Sequence, residues 1–139
     1  MKNHRVHFLL AGFSVFFVAL VVLADTGHGQ RFFSLAGKLP AGDKLGHFVL
    51  FGFLSFLVNL ILRGAMTRLF RRPILKGSAV ILALATLEEC SQLFFQTRSF
   101  DLLDLAADGL GIWLFGRAAF HYLNWKRGRV EALAVARRE

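Results

Sequence analysis

Residues 43–62 read DKLGHFVLFGFLSFLVNLIL, and this stretch decides the fold class. Behind the charged pair Asp43-Lys44, the block Leu45–Leu62 carries no formal charge and is interrupted only by His47, Ser55 and Asn59. A helix rises about 1.5 Å per residue, so about 20 apolar residues cross the ~30 Å hydrocarbon layer of a bilayer. The block fits that length. Gly42-Asp43 before it reads as a turn and N-cap.

Three more apolar blocks surround it. Val6–Ala24 is nineteen residues without a formal charge, with His7 its one ionisable group. The block from about Leu75 to Phe95 carries Glu88, Glu89 and Gln92 in its last part, and that from about Leu102 to Leu123 carries Asp104 and Asp108 in its first. Carboxylates inside a span cost several kcal/mol unless paired, protonated or wetted. The expected architecture is an all-α, four-transmembrane-helix bundle. It forms a single domain over 1–139, with spans near 6–24, 45–62, 75–95 and 102–123 and a basic tail over 124–139. A cleaved leader is the alternative for residues 1–24, but its apolar core exceeds the usual 7–15 residues. Arg31–Leu39 suits a short interfacial helix or an ordered loop. Pro73 is expected in the first turn of span three, where a missing N–H does no harm.

Composition agrees. The chain has 139 residues, 55% of them hydrophobic with 16 Phe, where a soluble domain averages roughly 45–50% apolar even with Gly counted. The net charge of +8 is placed between apolar blocks and at the termini. No basic face interleaved with aromatics could track a phosphate backbone, which excludes nucleic acid as a partner. Cys90 is the single cysteine, so an internal disulfide and a Cys-rich metal site are excluded.

Lys and Arg set the orientation. Basic segments occur at Lys2 and Arg5, at Arg63–Lys76, and at Lys126–Arg138. They alternate with segments in which Arg31, Lys38 and Lys44 are offset by Asp25 and Asp43, and Arg98 by Asp101. Both termini are therefore expected inside, with Tyr122 and Trp125 as an inner aromatic anchor and the tail from Arg129 as a basic helix on anionic lipid.

In this topology the polar residues converge on the outer face. Asp43, Lys44 and His47 fall on the first turn of span two, with Asp43 and His47 four apart on one face. Glu89 and Gln92 lie near the outer end of span three, where Glu88 also reaches Gln92. Arg98 is in the short outer loop, and Asp101, Asp104 and Asp108 form a stripe at i, i+3 and i+7. Ionisable groups at such depth normally face a bundle interior or a wet cavity and mark function.

The same residues carry a resemblance. Asp43-Lys44-Leu45-Gly46-His47-Phe48 resembles the D-K-x-x-H-F motif of VanZ-like membrane proteins, and Glu89 through Gln92 resembles their E-x-x-Q. Arg98, Asp104 and Gly111 are similar to their R-x5-D-x3-N-x2-G segment, with Asp108 standing where the pattern has Asn. The resemblance covers about Asp43–Gly116 and implies a multi-pass protein of the bacterial inner membrane. The family's namesake is linked to glycopeptide-antibiotic resistance, and relatives accompany cell-envelope and polysaccharide functions.

From the residues themselves, His47 is a candidate general acid or base, oriented by Asp43. Glu89 and Asp104 are further candidates for acid–base chemistry. Asp43, Lys44, Gln92, Arg98, Asp101 and Asp108 are candidate ligand-binding groups, with Arg98 able to grip a phosphate bidentately. The structural alternatives are a His–carboxylate pair between spans and a Glu89–Arg98 ion pair. Asp104 with Asp108 offers oxygen ligands of the kind Mg²⁺ or Ca²⁺ takes, but no established metal-ligand motif is present, so no metal and no cofactor is expected. Cys90 reads as a buried inert thiol, Ser55 and Asn59 as interhelical hydrogen-bonding groups, and Gly109, Gly111 and Gly116 as close-packing positions. The expected partner is the bilayer, with an anionic envelope lipid or glycan precursor at the outer cluster. The alternative is a non-catalytic accessory subunit bound to other membrane proteins. A proton pathway is the weakest class, because little beyond Asn59 continues a relay inward.

Overall fold

A computed structural model describes residues 4–25, 42–94 and 101–136. It is mostly helical, with four α-helices among the described residues. These are α1 (His4–Asp25), α2 (Gly42–Ile61), α3 (Lys76–Ser91, continued by a 3-10 turn over Gln92–Phe94) and α4 (Leu102–Ala136). Between α2 and α3 lies an antiparallel hairpin, β1 (Met66–Leu69) and β2 (Arg72–Leu75), with Met66 opposite Leu75 and Leu69 opposite Arg72. The segment Arg31–Leu39 lies outside the described residues.

α2 stops in a Schellman arrangement. The Gly64 N–H donates to the Asn59 carbonyl (3.0 Å) and the Arg63 N–H to the Leu60 carbonyl (3.2 Å). Arg63 and Gly64 both adopt positive φ (54° and 70°), satisfying carbonyls that the last turn leaves without helical donors. The hairpin then turns through Phe70 and Arg71, both left-handed (φ 47° and 67°), the geometry of a type I′ turn. Two expectations change here. The basic loop is a hairpin, and Pro73 sits in β2 opposite Arg68 rather than in the first turn of a helix. The helix begins only at Lys76, whose N–H donates back to the Ala65 carbonyl (2.8 Å).

α4 departs from its expected extent as well. It runs unbroken for 35 residues, about 50 Å at 1.5 Å per residue, so the basic tail extends the same helix. Arg127 Nη2 donates to the Arg63 carbonyl (2.7 Å) and ties that extension to the end of α2. Tyr122 and Trp125 lie with their rings 6.2 Å apart, and Arg129 lies over the Trp125 ring.

The helices meet around Phe51, Leu54, Ile81, Ala85 and Ile112. α1 joins through ring contacts, Phe13 on Phe53 and Phe17 on Phe51, each at 4.9 Å. α2 and α4 touch most closely at Gly111. A Cβ added there would strike the Phe48 carbonyl, and one added at Gly116 would strike Ser78 Oγ. Gly109, by contrast, has open space around it, so close packing involves two of the three expected glycines. A polar seam crosses the same interface. Asn59 Nδ2 donates to Ser78 Oγ (3.0 Å), Ser55 Oγ lies 3.1 Å from Ser78 Oγ, and Ser55 Oγ donates to the Ile112 carbonyl (3.1 Å). Ser55 and Asn59 thus link α2 to α3 and α4, as their positions suggested.

Beside this apolar core, polar side chains are buried and many large apolar ones are exposed. His47, Ser55, Asn59, Ser78, Glu89, Gln92, Asp104 and Asp108 are all buried, while Phe8, Val15, Val18, Leu87, Leu103 and Trp113 lie more than half exposed. One helix, over Lys44–Ile61, is long and apolar enough to cross a membrane among the described residues, and α1 holds a shorter apolar stretch over His7–Ala19. α3 has only 16 residues, about 24 Å at 1.5 Å per residue.

Candidate functional site

Three helix ends converge. The first turns of α2 supply Lys44 and His47, the last turn of α3 supplies Glu88 and Glu89 with Gln92 just beyond, and the start of α4 supplies Asp101, Asp104 and Asp108. The i, i+3, i+7 spacing on α4 places its three carboxylates along one stripe, and that stripe faces α2.

Asp101 begins α4 as a cap. Its Oδ1 accepts the Leu103 N–H (2.8 Å) and its carbonyl accepts the Asp104 and Leu105 N–H groups, which is what an N-cap aspartate does. Its own N–H donates to Glu89 Oε2 (3.2 Å), joining α4 to α3. The Lys44 ammonium bridges α2 to α4, donating to Asp101 Oδ2 and Asp104 Oδ1, each at 2.9 Å. That ammonium, aided by the Leu103 N–H, holds the Asp101 carboxyl below its ordinary range. A carboxyl depressed on folding contributes stability above its unfolded pKa and loses it as pH falls through the folded value.

Deeper, His47 Nδ1 lies 3.1 Å from Asp108 Oδ1, with the His47 side chain 10% and the Asp108 side chain 0% exposed. The His47 ring stacks on Phe51 at 6.1 Å. The Gln92 amide donates to Glu88 Oε1 (3.0 Å) and Glu89 Oε1 (3.2 Å), drawing two neighbouring carboxylates together. Burial of like charges at such spacing is costly unless protons or cations offset it.

Seven residues expected at the site come together: Lys44, His47, Glu89, Gln92, Asp101, Asp104 and Asp108. The side chain of Asp43 and all of Arg98 lie outside the described residues, and with them the expected Glu89–Arg98 pair. His47 meets Asp108 across the α2–α4 interface, the His–carboxylate pair between helices, while its expected orientation by Asp43 lies outside the described residues. Glu88 belongs to the cluster and was not among the chosen site residues. The signal that finds it is its i, i+4 relation to Gln92, which the structure realises as a hydrogen bond. Cys90 is exposed, not buried, because it follows Glu89 on α3 and turns away from the interface.

The arrangement offers an oriented imidazole, carboxylates one layer below the helix ends, and a lysine already shared between two aspartates. Such a set can exchange protons with a bound anion or hold a cation. Comparison with protein-family models, with curated proteins and with solved structures finds no match to the chain.

Proposed function

We propose that the chain is a VanZ-like multi-pass protein of the bacterial inner membrane. In this reading four helices cross the bilayer, both termini are inside, and the outward-facing cluster binds a phosphate-bearing envelope lipid or glycan precursor. The observation that carries the reading is the pattern of burial. Ionisable and amide groups share the contact between helices with the apolar core, while many large apolar side chains point outward, which suits lipid as the surrounding solvent. α3, with its 3-10 extension over Gln92–Phe94, is the shortest of the four helices in this reading.

At this depth a lipid phosphate meets the helix ends. Arg98 and Lys44 supply positive charge, Arg98 with the planar fork that suits phosphate oxygens. In this reading His47, which contacts Asp108, passes a proton to or from the anion, and Glu89 and Asp104 are its candidate partners. A second reading is favoured by the Lys44 contacts: an ammonium satisfied by two aspartates acts as an interhelical lock, and the protein is then a non-catalytic module of a larger membrane assembly.

Thermal unfolding of detergent-purified protein separates the two. Under the headgroup reading, anionic phospholipid raises Tm over zwitterionic lipid, following ligand linkage, and Arg98→Ala abolishes the difference while the variant remains folded. Equal stabilisation by both lipids, unchanged in Arg98→Ala, favours the lock and overturns headgroup recognition.

A further inference from the structure

His47, Glu88 and Glu89 each place one ligand atom within 4.8 Å of the other two. Ligands about 2.0–2.2 Å from a shared zinc ion lie up to roughly 4 Å apart, so shifts of side-chain torsions close the set without moving the helices. We infer that these three residues form a binding site for a divalent transition-metal ion, with Asp108 orienting the His47 ring from behind.

The site has the features of a built one. Glu89 is fully buried and His47 is 8% exposed, so two of the three ligands are withdrawn from solvent. Gln92 donates to one oxygen of Glu88 and one of Glu89, which holds the two carboxylates in convergence. An ionised carboxylate has about four lone-pair positions, so each Glu accepts this amide and still ligates. Glu89 is fixed a second time by the Asp101 N–H.

His47 carries the independent observation. Its Nδ1 lies 3.1 Å from a carboxylate oxygen of Asp108, a residue exposed to no solvent. A carboxylate behind a ligating imidazole fixes the ring and raises its basicity, and this arrangement recurs at protein metal sites. Charge points the same way. Among the described residues the cluster gathers the carboxylates of Glu88, Glu89, Asp101, Asp104 and Asp108 around Lys44 and His47, and Lys44 is bonded to Asp101 and Asp104 only.

One imidazole with two carboxylates suits Zn²⁺ or Mn²⁺ better than Ca²⁺, which takes oxygen ligands alone. No sequence motif announced the site because its ligands come from two helices distant in sequence, and Asp104 with Asp108, the pair that spacing suggested, is not the set that converges. The inference goes beyond headgroup recognition and does not depend on it, although a bound cation would also give a phosphate its counter-charge.

The test uses the full chain, carrying a purification tag without histidines, stripped with chelator in phosphate-free, lipid-free detergent. After addition of zinc chloride and desalting, about one zinc per chain is expected, with a rise in Tm. Glu88→Gln, at a half-buried position, should lose the retained zinc and the Tm response while keeping the wild-type circular dichroism and elution volume. Asp108→Asn keeps all three ligands and should weaken zinc about 10–100-fold. His121→Ala, at an exposed histidine elsewhere on α4, should bind as the wild type does. Manganese in place of zinc should give the same order of variants. Equal zinc retention by wild type and Glu88→Gln, or neither metal retained and no Tm response in the wild type, overturns the site. Because no lipid is present, failure here leaves the lipid-dependent stabilisation to be judged by its own experiment.

Discussion

Gly111→Ala should destabilise the bundle more than Ala at the other glycines compared among the described residues. The new Cβ would enter the Phe48 carbonyl, which belongs to the backbone of α2 and cannot swing aside as a side chain could. Overpacking a well-filled interface costs about 1–3 kcal/mol and occasionally more, and a backbone collision lies at the upper end of that range. Small residues allow helices to approach this closely, and Gly116 against Ser78 uses the same device. Thermal unfolding in detergent measures the effect. Gly109→Ala is the matched control, since it adds the same group to the same helix where nothing lies within 4 Å. It should leave Tm unchanged or raise it slightly, because Ala outranks Gly in helix propensity by about 1 kcal/mol. Equal loss in both variants would mean that α2 and α4 do not meet at this point.

The second large effect is expected at the His47–Asp108 pair. Asp108→Ala removes a carboxylate with no solvent exposure and leaves the His47 side chain, itself 10% exposed, without its 3.1 Å partner. Breaking a buried ionic pair from one side costs about 3–5 kcal/mol. His47→Ala should cost a comparable amount, because it takes the imidazole from a carboxylate that is fully buried. The double variant should lose clearly less than the two single losses combined, since the pair fails as a unit. Strict additivity in a chemical or thermal unfolding cycle would show that the two side chains do not interact.

The parts of the fold that were legible were those governed by local chemistry. Leu45–Leu62 announces α2 through its apolar run, and Ser55 and Asn59 stand out within it as groups needing partners. The hairpin was hidden for a specific reason. Its turn is Phe70-Arg71, both left-handed, where Asn-Gly or Asp-Gly is the pattern that signals a type I′ turn. Pro73 then resembled a helix start because its paired position opposite Arg68 depends on a strand that gave no signal. The extension of α4 was cut short by hydropathy alone. Residues 124–136 are rich in Ala, Leu, Arg and Lys, strong helix formers, so the helix continues where the apolar run ends.

The site was legible as a set and not as pairs. Spacing within each helix put Lys44 with His47, Glu89 with Gln92, and the three aspartates on one stripe. Partner choice depends on how the helices cross, which no spacing encodes. That is why spacing alone did not name Asp108 as a partner of His47, or Asp101 and Asp104 as those of Lys44. Glu88 shows the same limit, since spacing ties it to Gln92 but its approach to His47 appears only when α2 and α3 are brought together.

The central claim is that the four helices cross a membrane and present this cluster outward, and side-specific labelling tests it most directly. In a Cys90→Ser background, single cysteines are placed at Thr26, Phe70, Ser99 and Arg138, and intact cells with a permeabilised outer membrane are treated with a membrane-impermeant thiol reagent. Labelling at 26 and 99, with labelling at 70 and 138 only after the inner membrane is opened, is the predicted result. It places the α3–α4 connection outside and the hairpin, 92% exposed at Phe70, inside. Equal labelling of 70 and 99 in intact cells would mean that α3 does not cross, and the outward-facing cluster would fall with it.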